Sequence, residues 1–579
     1  LLDPKWTLND AYKQYTKDQD KTAAPEQTVA RIKQRFAEQG LQILDETVRI
    51  DNGRLDIPVY FSVCGPDARS ITGTAKQMGK GATPAQAEAS AIMELVERFS
   101  FYSFAQNPEN FRTGTRPEMG AQAMDFDDIA KSVHDTSEDL DAARRAFDRL
   151  ELKWTRGANL TRQESVLVPF DWFFAINEFN GTSAGNCLEE ALCQGVCEIV
   201  ERHVSARVSR EQIRVPAIDP DSADDPMVRE MLEKYRTNHI RVYVSDFTLD
   251  MGIATVGVLA WDPETFPEQS EIVWTAGTAS DPQKAFSRAL SETAQLAGDF
   301  NSGANYVASG LPKFRDITEA DFIVNADRIM AIRELPNLSD PNIRVEVSRC
   351  LAALEQREME TFSIDTTHPG LGIPALYSMI PGACFRERAQ AASVGMFCAR
   401  LAAEKYTPKR AIAELSEIDR LLPGKYYVQF YLGRIHLELG DYETAVAYFE
   451  KALEMDPDDQ DIPSIYSFLG QAHKEMGAYR ESLKATESGL AWDGARTDLH
   501  NLAGFCHFKR GEHAAAIDSF SRVIRLNPAS AIDYANLAVN YRETGDIETA
   551  IAYFRIALEL DSGIEFARQS LEKLTGQAP

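Results

Sequence analysis

The chain has 579 residues, 44% of them hydrophobic and 26% charged, with a net charge of −27. This composition is that of an ordinary globular protein. It excludes collagen-like, disulfide-scaffold and mainly disordered classes, and the length predicts roughly two to four domains. The acidic balance opposes broad binding to nucleic acid or anionic membrane surfaces, and no apolar run approaches the roughly 20 residues of a membrane helix.

The opening residues LLDPKWTLNDAYKQYTKDQDK carry no apolar stretch of the signal-peptide type. The eight cysteines, at 64, 187, 193, 197, 350, 384, 398 and 506, include no CxxC pair. Both features predict a reducing, cytoplasmic location.

From residue 1 to about 400, β-rich runs alternate with helical sequence. The runs are 55–65, 165–177, 240–248, 252–261, 271–278 and 373–380. Their partial apolar alternation predicts an α+β domain in which helices pack on sheets.

Three helical segments in this region carry polar stripes. In QMGKGATPAQAEASAIMELVERFSFYSF, Thr83 suits the N-cap, Pro84 the first helical position and Gln86 the third position of a capping box. Gly79 and Gly81 flank Lys80 just before the helix, where backbone N–H groups suit phosphate. Ser90, Glu94 and Glu97 lie at i, i+4, i+7 and share a face. In AGNCLEEALCQGVCEIVERHVSARV, Glu190, Glu198 and Glu201 fall within about 80° of arc, with Asn186 one turn before. The rest of that helix is apolar, so burial leaves its glutamates in need of compensating charge. In SDPQKAFSRALSETAQLAGDF, Arg288, Glu292 and Gln295 repeat the i, i+4, i+7 spacing. Converging glutamates repel one another unless cations stand between them, and Mg²⁺ favours carboxylate oxygens together with substrate phosphates. The stripes therefore predict a nucleotide site with more than one Mg²⁺; the bland alternative is three amphipathic helices with solvated glutamates.

The last third is periodic. Gly440-Asp441, Gly477-Ala478, Gly511-Glu512 and Gly545-Asp546 recur at steps of 37, 34 and 34. Ala445, Ser482, Ala516 and Ala550 follow the same steps, as do Gly433, Gly470, Gly504 and Ala538. Each unit reads as two helices, and the pattern resembles the tetratricopeptide repeat. Repeats are expected near 425–458, 462–494, 496–529 and 530–562, with a degenerate leading helix pair at 402–424 and a capping helix at the end. The expected division is 1–400 and 401–579.

The segments GKGATPAQAEASAIMELVER, AGNCLEEALCQGVCEIVER and FSRALSETAQ resemble, in order, the ATP-binding motifs of the YcaO family. The resemblance covers roughly residues 20–400 and implies a YcaO-type α+β ATP-binding domain followed by an all-α solenoid. It implies ATP contacts at Ser90, Glu94, Asn186, Arg288 and Gln295, and metal ligation by Glu94, Glu97, Glu190, Glu198, Glu201 and Glu292. Lys21 and Thr28 match the N-terminal Lys and hydroxyl that approach the nucleotide in some members.

The implied chemistry uses ATP and Mg²⁺ to phosphorylate a peptide-backbone amide oxygen, after which a nucleophile adds. A side-chain nucleophile gives an azoline, an external sulfur donor a thioamide, and an amine an amidine. Lys80 and Arg288 are the expected catalytic cations, neutralising the departing phosphate. Azoline-forming members typically end in a PxPxP tail, whereas this sequence ends LTGQAP after helical repeats. That difference favours thioamidation or support of protein methylthiolation. The alternatives are an azoline-forming cyclodehydratase and an ATP-binding adaptor delivering a client to a sulfur-inserting enzyme.

Cys187, Cys193 and Cys197 sit on the second polar helix, where a sulfur-handling role competes with simple core filling. His436, His473 and His507 recur near one repeat position and are expected to pack. The expected partners are a peptide or protein client and a second protein, such as a sulfur donor, bound by the repeats. A homodimer is also expected, without nucleic acid or membrane.

Overall fold

The computed structural model describes residues 2–51, 53–301, 311, 314–385 and 392–576. Contacts divide the chain into two units: Leu1–Thr136 with Asp148–Ala392, and Ser137–Phe147 with Ser393–Pro579. The second unit thus takes in a segment from inside the first, which differs from the single division near residue 400 expected from the repeats. That segment holds the helix Leu140–Phe147, which buries Ala143, Ala146 and Phe147 and packs against the helices Val394–Lys405 and Pro408–Leu421. An eight-residue amphipathic helix shows that it needs a partner but does not show which one.

The first unit is an α+β domain with three sheets among the described residues. A small antiparallel sheet consists of β1 (Leu44–Arg49), β2 (Val59–Cys64) and β3 (Lys76–Lys80), in that order. A second sheet runs Val273–Thr278, Thr255–Trp261, Arg241–Asp246, Ala217–Asp219 and Ile329–Ala331, with its last pair parallel. The third sheet runs Arg112–Gly114, Leu152–Asn159, Phe362–Asp365, Ala375–Met379 and Thr182–Ala184, and Glu164–Pro169 also pairs with Leu152–Asn159.

Each polar stripe lies on a helix that one of these sheets positions. The first polar helix, Pro84–Gln106, lies on β2 and β3. Thr83 caps it by accepting a hydrogen bond from the Gln86 N–H. Strand and helix approach closely enough that a Cβ at Gly79 would stand 2.0 Å from the Ala91 nitrogen, so this position requires glycine. The second polar helix, Leu188–Glu211, buries Leu192, Val196, Ile199 and Val204 in the core it shares with Leu259, Trp274 and Leu376. The third, Pro282–Ala297, packs on Thr255–Trp261 and Val273–Thr278 and is capped by Asp281, which accepts from the Gln283 N–H.

Two local expectations need correction. The run 165–177 is a strand only as far as Pro169; Phe170–Asn177 is a helix. Its aromatic residues are buried on most sides, so no alternation distinguished strand from helix. The Gly79-Lys80-Gly81 stretch is not a phosphate loop. Lys80 ends β3, and the two donors that follow it are already used: Gly81 N–H reaches Pro58 O at 3.4 Å and Ala82 N–H reaches Asp18 Oδ2 at 3.0 Å.

The second unit is a helical array. After the pair Val394–Lys405 and Pro408–Leu421 come Tyr426–Glu438 with Tyr442–Glu454, and Ile462–Glu475 with Tyr479–Trp492. Thr497–Lys509 with His513–Leu526, Ala531–Glu543 with Ile547–Leu560, and Glu565–Thr575 complete it. Gly440, Gly477, Gly511 and Gly545 turn each pair at φ between +74° and +89°, a region glycine enters without a Cβ penalty. His436 and His507 pair with Asp441 and Glu512 across those turns. The expected capping helix is present to Thr575; the final Gln577–Pro579 of LTGQAP lie outside the described residues.

Candidate active site

A cavity of about 870 Å³ in the first unit gathers every residue that the sequence assigned to ATP, metal or phosphate, but none of the three cysteines of the second polar helix. Ser90, Glu94 and Glu97 reach it from the first polar helix. Glu190, Glu198 and Glu201 come from the second, with Asn186 just ahead of it, and Arg288, Glu292 and Gln295 come from the third. Lys80 enters from the end of β3, and Lys21 and Thr28 from the N-terminal segment.

The carboxylates line this cavity without meeting at one point, because they are drawn to separate cations and donors, Glu94 and Glu97 sharing one. Arg98 stands 3.7 Å from Glu94 and 3.4 Å from Glu97, its guanidinium over the Phe179 ring at 4.0 Å. Arg202 lies 3.1 Å from Glu198. Glu201 accepts the Thr278 N–H at 2.8 Å and faces Arg288 at 3.9 Å. Glu292 pairs with Lys80. Among the described residues, no group of three or more His, Cys, Asp or Glu side chains is arranged to hold a metal ion.

Desolvation and like charge shape the titration of these groups. Burial, with the Glu198 and Glu94 charges added, pushes the Glu97 carboxyl up to about 7 against the pull of Arg98. Burial likewise raises Glu94 and Glu201, Glu198 adding to both. Burial and the nearby Arg288 charge bring the Lys80 ammonium down to about 8, although Glu201, Glu94 and Glu198 favour its charged form. Arg288 donates to Gln194 Oε1 at 3.0 Å, while its buried Nε has no hydrogen-bond partner among the described residues.

Glu190 is bound differently. One oxygen accepts from the Asn186 N–H and Nδ2 at 3.2 and 3.0 Å, and the other from the Thr22 N–H and Oγ1 at 3.1 and 3.0 Å. Lys21 Nζ is 3.7 Å away. Asn186 in turn accepts from Thr28 Oγ1 and Arg31 Nη2 at 3.0 and 2.6 Å. Glu190 thus anchors the N-terminal segment. The same segment is tied down elsewhere by Lys13, which bridges Asp20 at 2.7 Å and Glu346 at 2.5 Å, and by Lys284, which donates to Thr16 O and Lys17 O at 2.9 and 2.6 Å.

Sequence reasoning missed Arg31, Arg98 and Arg202. A signal was present for the last two: the helices share the pattern Glu-x-Val-Glu-Arg, as Glu94–Arg98 and Glu198–Arg202. Cys193 and Cys197 line a pocket of about 60 Å³ that shares Arg288, Lys21 and Glu190 with the large cavity. The Cys193 thiol is raised well above its ordinary range by its hydrogen bond with Cys197 and by burial; Cys197 is pulled down by that bond but raised on balance by Cys350 and by burial.

The family profile described as YcaO cyclodehydratase, ATP- and Mg²⁺-binding, matches residues 78–384. The chain belongs to the YcaO family. Tetratricopeptide-repeat profiles match 426–459 and 534–563. An uncharacterized protein of Methanothermobacter thermautotrophicus is 28% identical over 379 residues, covering 62% of this chain and 93% of that protein. The ribosomal protein S12 methylthiotransferase accessory factor YcaO of Escherichia coli is 28% identical over 270 residues, but only 42% of this chain and 44% of that protein are covered. A solved heterocyclase in complex with substrate and cofactor shares the fold, with a TM-score of 0.54 at 24% identity over 66% of this chain and 55% of that one.

The residues present fit the family's ligands. The YcaO cavity is of a size that takes a nucleotide. It holds an unpaired guanidinium nitrogen, a partly neutralised ammonium and carboxylates that raise one another's pKa.

The Glu97 shift makes a stability prediction. Its folded value, about 7, lies above its ordinary 4.5, so the folded state holds the extra proton between those limits. Stability is greatest below that window and falls as pH rises through it, with a slope approaching about 1.4 kcal/mol per pH unit. In Glu97→Gln this slope between pH 5 and 7 flattens, as read by urea denaturation without ligand; an unchanged slope would assign it to other groups.

Proposed function

We propose that the head binds ATP with Mg²⁺ and activates a peptide-backbone amide by O-phosphorylation, to which a nucleophile then adds. The observation that carries this reading is the mixed charge of the desolvated cavity: Lys80 and Arg288 on one side, and glutamates from two helices on the other. Lys80 and Arg288 would hold the phosphates and neutralise charge on the departing group. Glu94, Glu97, Glu198 and Glu201 would hold Mg²⁺, whose remaining ligands are phosphate oxygens; bound there, the ion spreads the phosphate charge. Ser90, Gln295 and Thr28 would orient the nucleotide. Asn186 and Glu190 would set the position of Lys21, and Glu292 that of Lys80.

Among the products, we favour thioamidation or support of protein methylthiolation. The name of the E. coli relative points to methylthiolation and supports this choice. The word accessory in that name also favours a second reading, an ATP-binding adaptor that delivers a client to a sulfur-inserting enzyme. ATP hydrolysis stimulated by a client peptide decides for the enzyme; nucleotide binding without turnover decides for the adaptor.

The helical array would recognise the client or a partner protein, since paired helices of this kind curl around extended or helical peptides. Two expectations follow from this division of labour. Glu94→Gln and Glu201→Gln each weaken Mg²⁺-dependent ATP binding at least about tenfold, or about 1.4 kcal/mol, while the fold survives, because losing a charge relieves a crowded site. Calorimetry finding unchanged affinity in both variants contradicts the nucleotide site. Removal of residues 425–579 leaves the helix pair packed on Leu140–Phe147 and spares ATP binding, but it abolishes or sharply weakens modification of the client. Normal modification by the shortened chain, with a change only in the mass read by light scattering, would make the array a dimer interface instead.

A further inference from the structure

The strand β3 runs along the cavity, and Lys76, Gln77, Met78 and Lys80 all line it. It is an edge strand: among the described residues it pairs with β2 and with no other strand. The side on which it bonds follows from the antiparallel ladder. Cys64 N–H donates to Ala75 O at 2.9 Å, and Gly81 N–H to Pro58 O at 3.4 Å. Odd-numbered residues therefore turn their backbone groups toward β2, and the N–H and C=O groups of Lys76, Met78 and Lys80 turn the other way. An open row of this kind is a template for another extended chain.

Side chains beside that edge suit a peptide as well. Ile50, Phe61 and Met78 are half-buried and line the cavity, and Lys76 Nζ sits 3.9 Å from the centre of the Phe61 ring. The strand ends at Lys80, which pairs with Glu292 and faces Arg288. A chain laid along β3 would thus run toward the proposed phosphate-binding cations.

We infer that β3 is the docking edge for the peptide substrate, which adds as an extended strand through the backbone groups of Lys76, Met78 and Lys80. The inference rests on the peptide-activating reading above. An enzyme acting on a backbone amide gains from binding that backbone directly, because strand addition fixes the register of the amides while leaving sequence choice to side-chain pockets. Here the apolar patch of Ile50, Phe61 and Met78 would select an apolar side chain on the peptide face turned toward it.

The test is amide hydrogen exchange on the full chain. The probe is a pool of random-sequence, end-blocked decapeptides at millimolar total concentration, added with Mg²⁺ and a non-hydrolysable ATP analogue. The expected result is at least tenfold slower exchange in the segment Lys76–Lys80 on adding the pool, beyond any effect of nucleotide. Met78→Pro, which removes an outward N–H that β2 does not use, abolishes this protection; Met78→Ala, which keeps it, does not. A pool N-methylated at every amide, which leaves neither edge of the peptide able to donate, gives no protection to the wild-type chain, so the result holds even if the proline variant fails to fold. No protection of β3 beyond that given by nucleotide, while the pool protects another part of the cavity, overturns the inference. If the pool protects no segment, the peptide-substrate reading itself falls.

Discussion

The head's structure depends on the crowding of like charges in a half-buried cavity. Glu94 and Glu97 on one helix face Glu198 and Glu201 on another, and burial pushes Glu94, Glu97 and Glu201 toward their neutral forms. Arg98, Arg202, Lys80 and Arg288 keep the cluster together without closing it, since each cation is matched to a nearby carboxylate. A charge balance spread over three helices is easily redrawn by a ligand carrying both signs. A polyphosphate with a divalent cation is such a ligand, and it is what the YcaO family binds.

The surrounding fold holds that balance in place. Each polar helix is seated on a sheet, and the close approach at Gly79 brings β3 against the first polar helix. The N-terminal segment is tied down by buried charges: Glu190 holds Thr22, Lys13 joins Asp20 to Glu346, and Lys284 binds the carbonyls of Thr16 and Lys17. Breaking one partner of a buried pair costs about 3–5 kcal/mol, so these links fix Lys21 at the cavity wall more firmly than exposed pairs would.

Much of this was legible in the sequence where a pattern repeats. The i, i+4, i+7 stripes placed their residues around one cavity, because helical periodicity assigns a face without knowledge of the partner. The solenoid was legible for the same reason: small residues and turn glycines recur at a fixed step. What escaped was set by tertiary contact. Glycines at 79 and 81 look alike in a phosphate loop and in a tight strand–helix contact, and only the positions of Ala91 beside Gly79 and of Gln86 and Ala87 beside Gly81 separate the two. The helix Leu140–Phe147 shows an apolar face but not its destination. Glu190 looks like the other glutamates until Thr22 and Asn186 are seen to occupy its oxygens. Arg98 and Arg202 stand in the repeated Glu-x-Val-Glu-Arg, a pattern that marks them as a pair without showing which carboxylates they reach.

The account's central claim is that the cavity is completed by metal and polyphosphate together, since no three carboxylates meet to form a metal site among the described residues. Titration of Mn²⁺ into the protein, followed by electron paramagnetic resonance with and without ATP, tests this most directly. The account predicts weak binding of the ion alone and tight binding once ATP is present, with ATP affinity falling when the metal is withdrawn. Tight stoichiometric Mn²⁺ binding without nucleotide, or ATP binding indifferent to the metal, would contradict it.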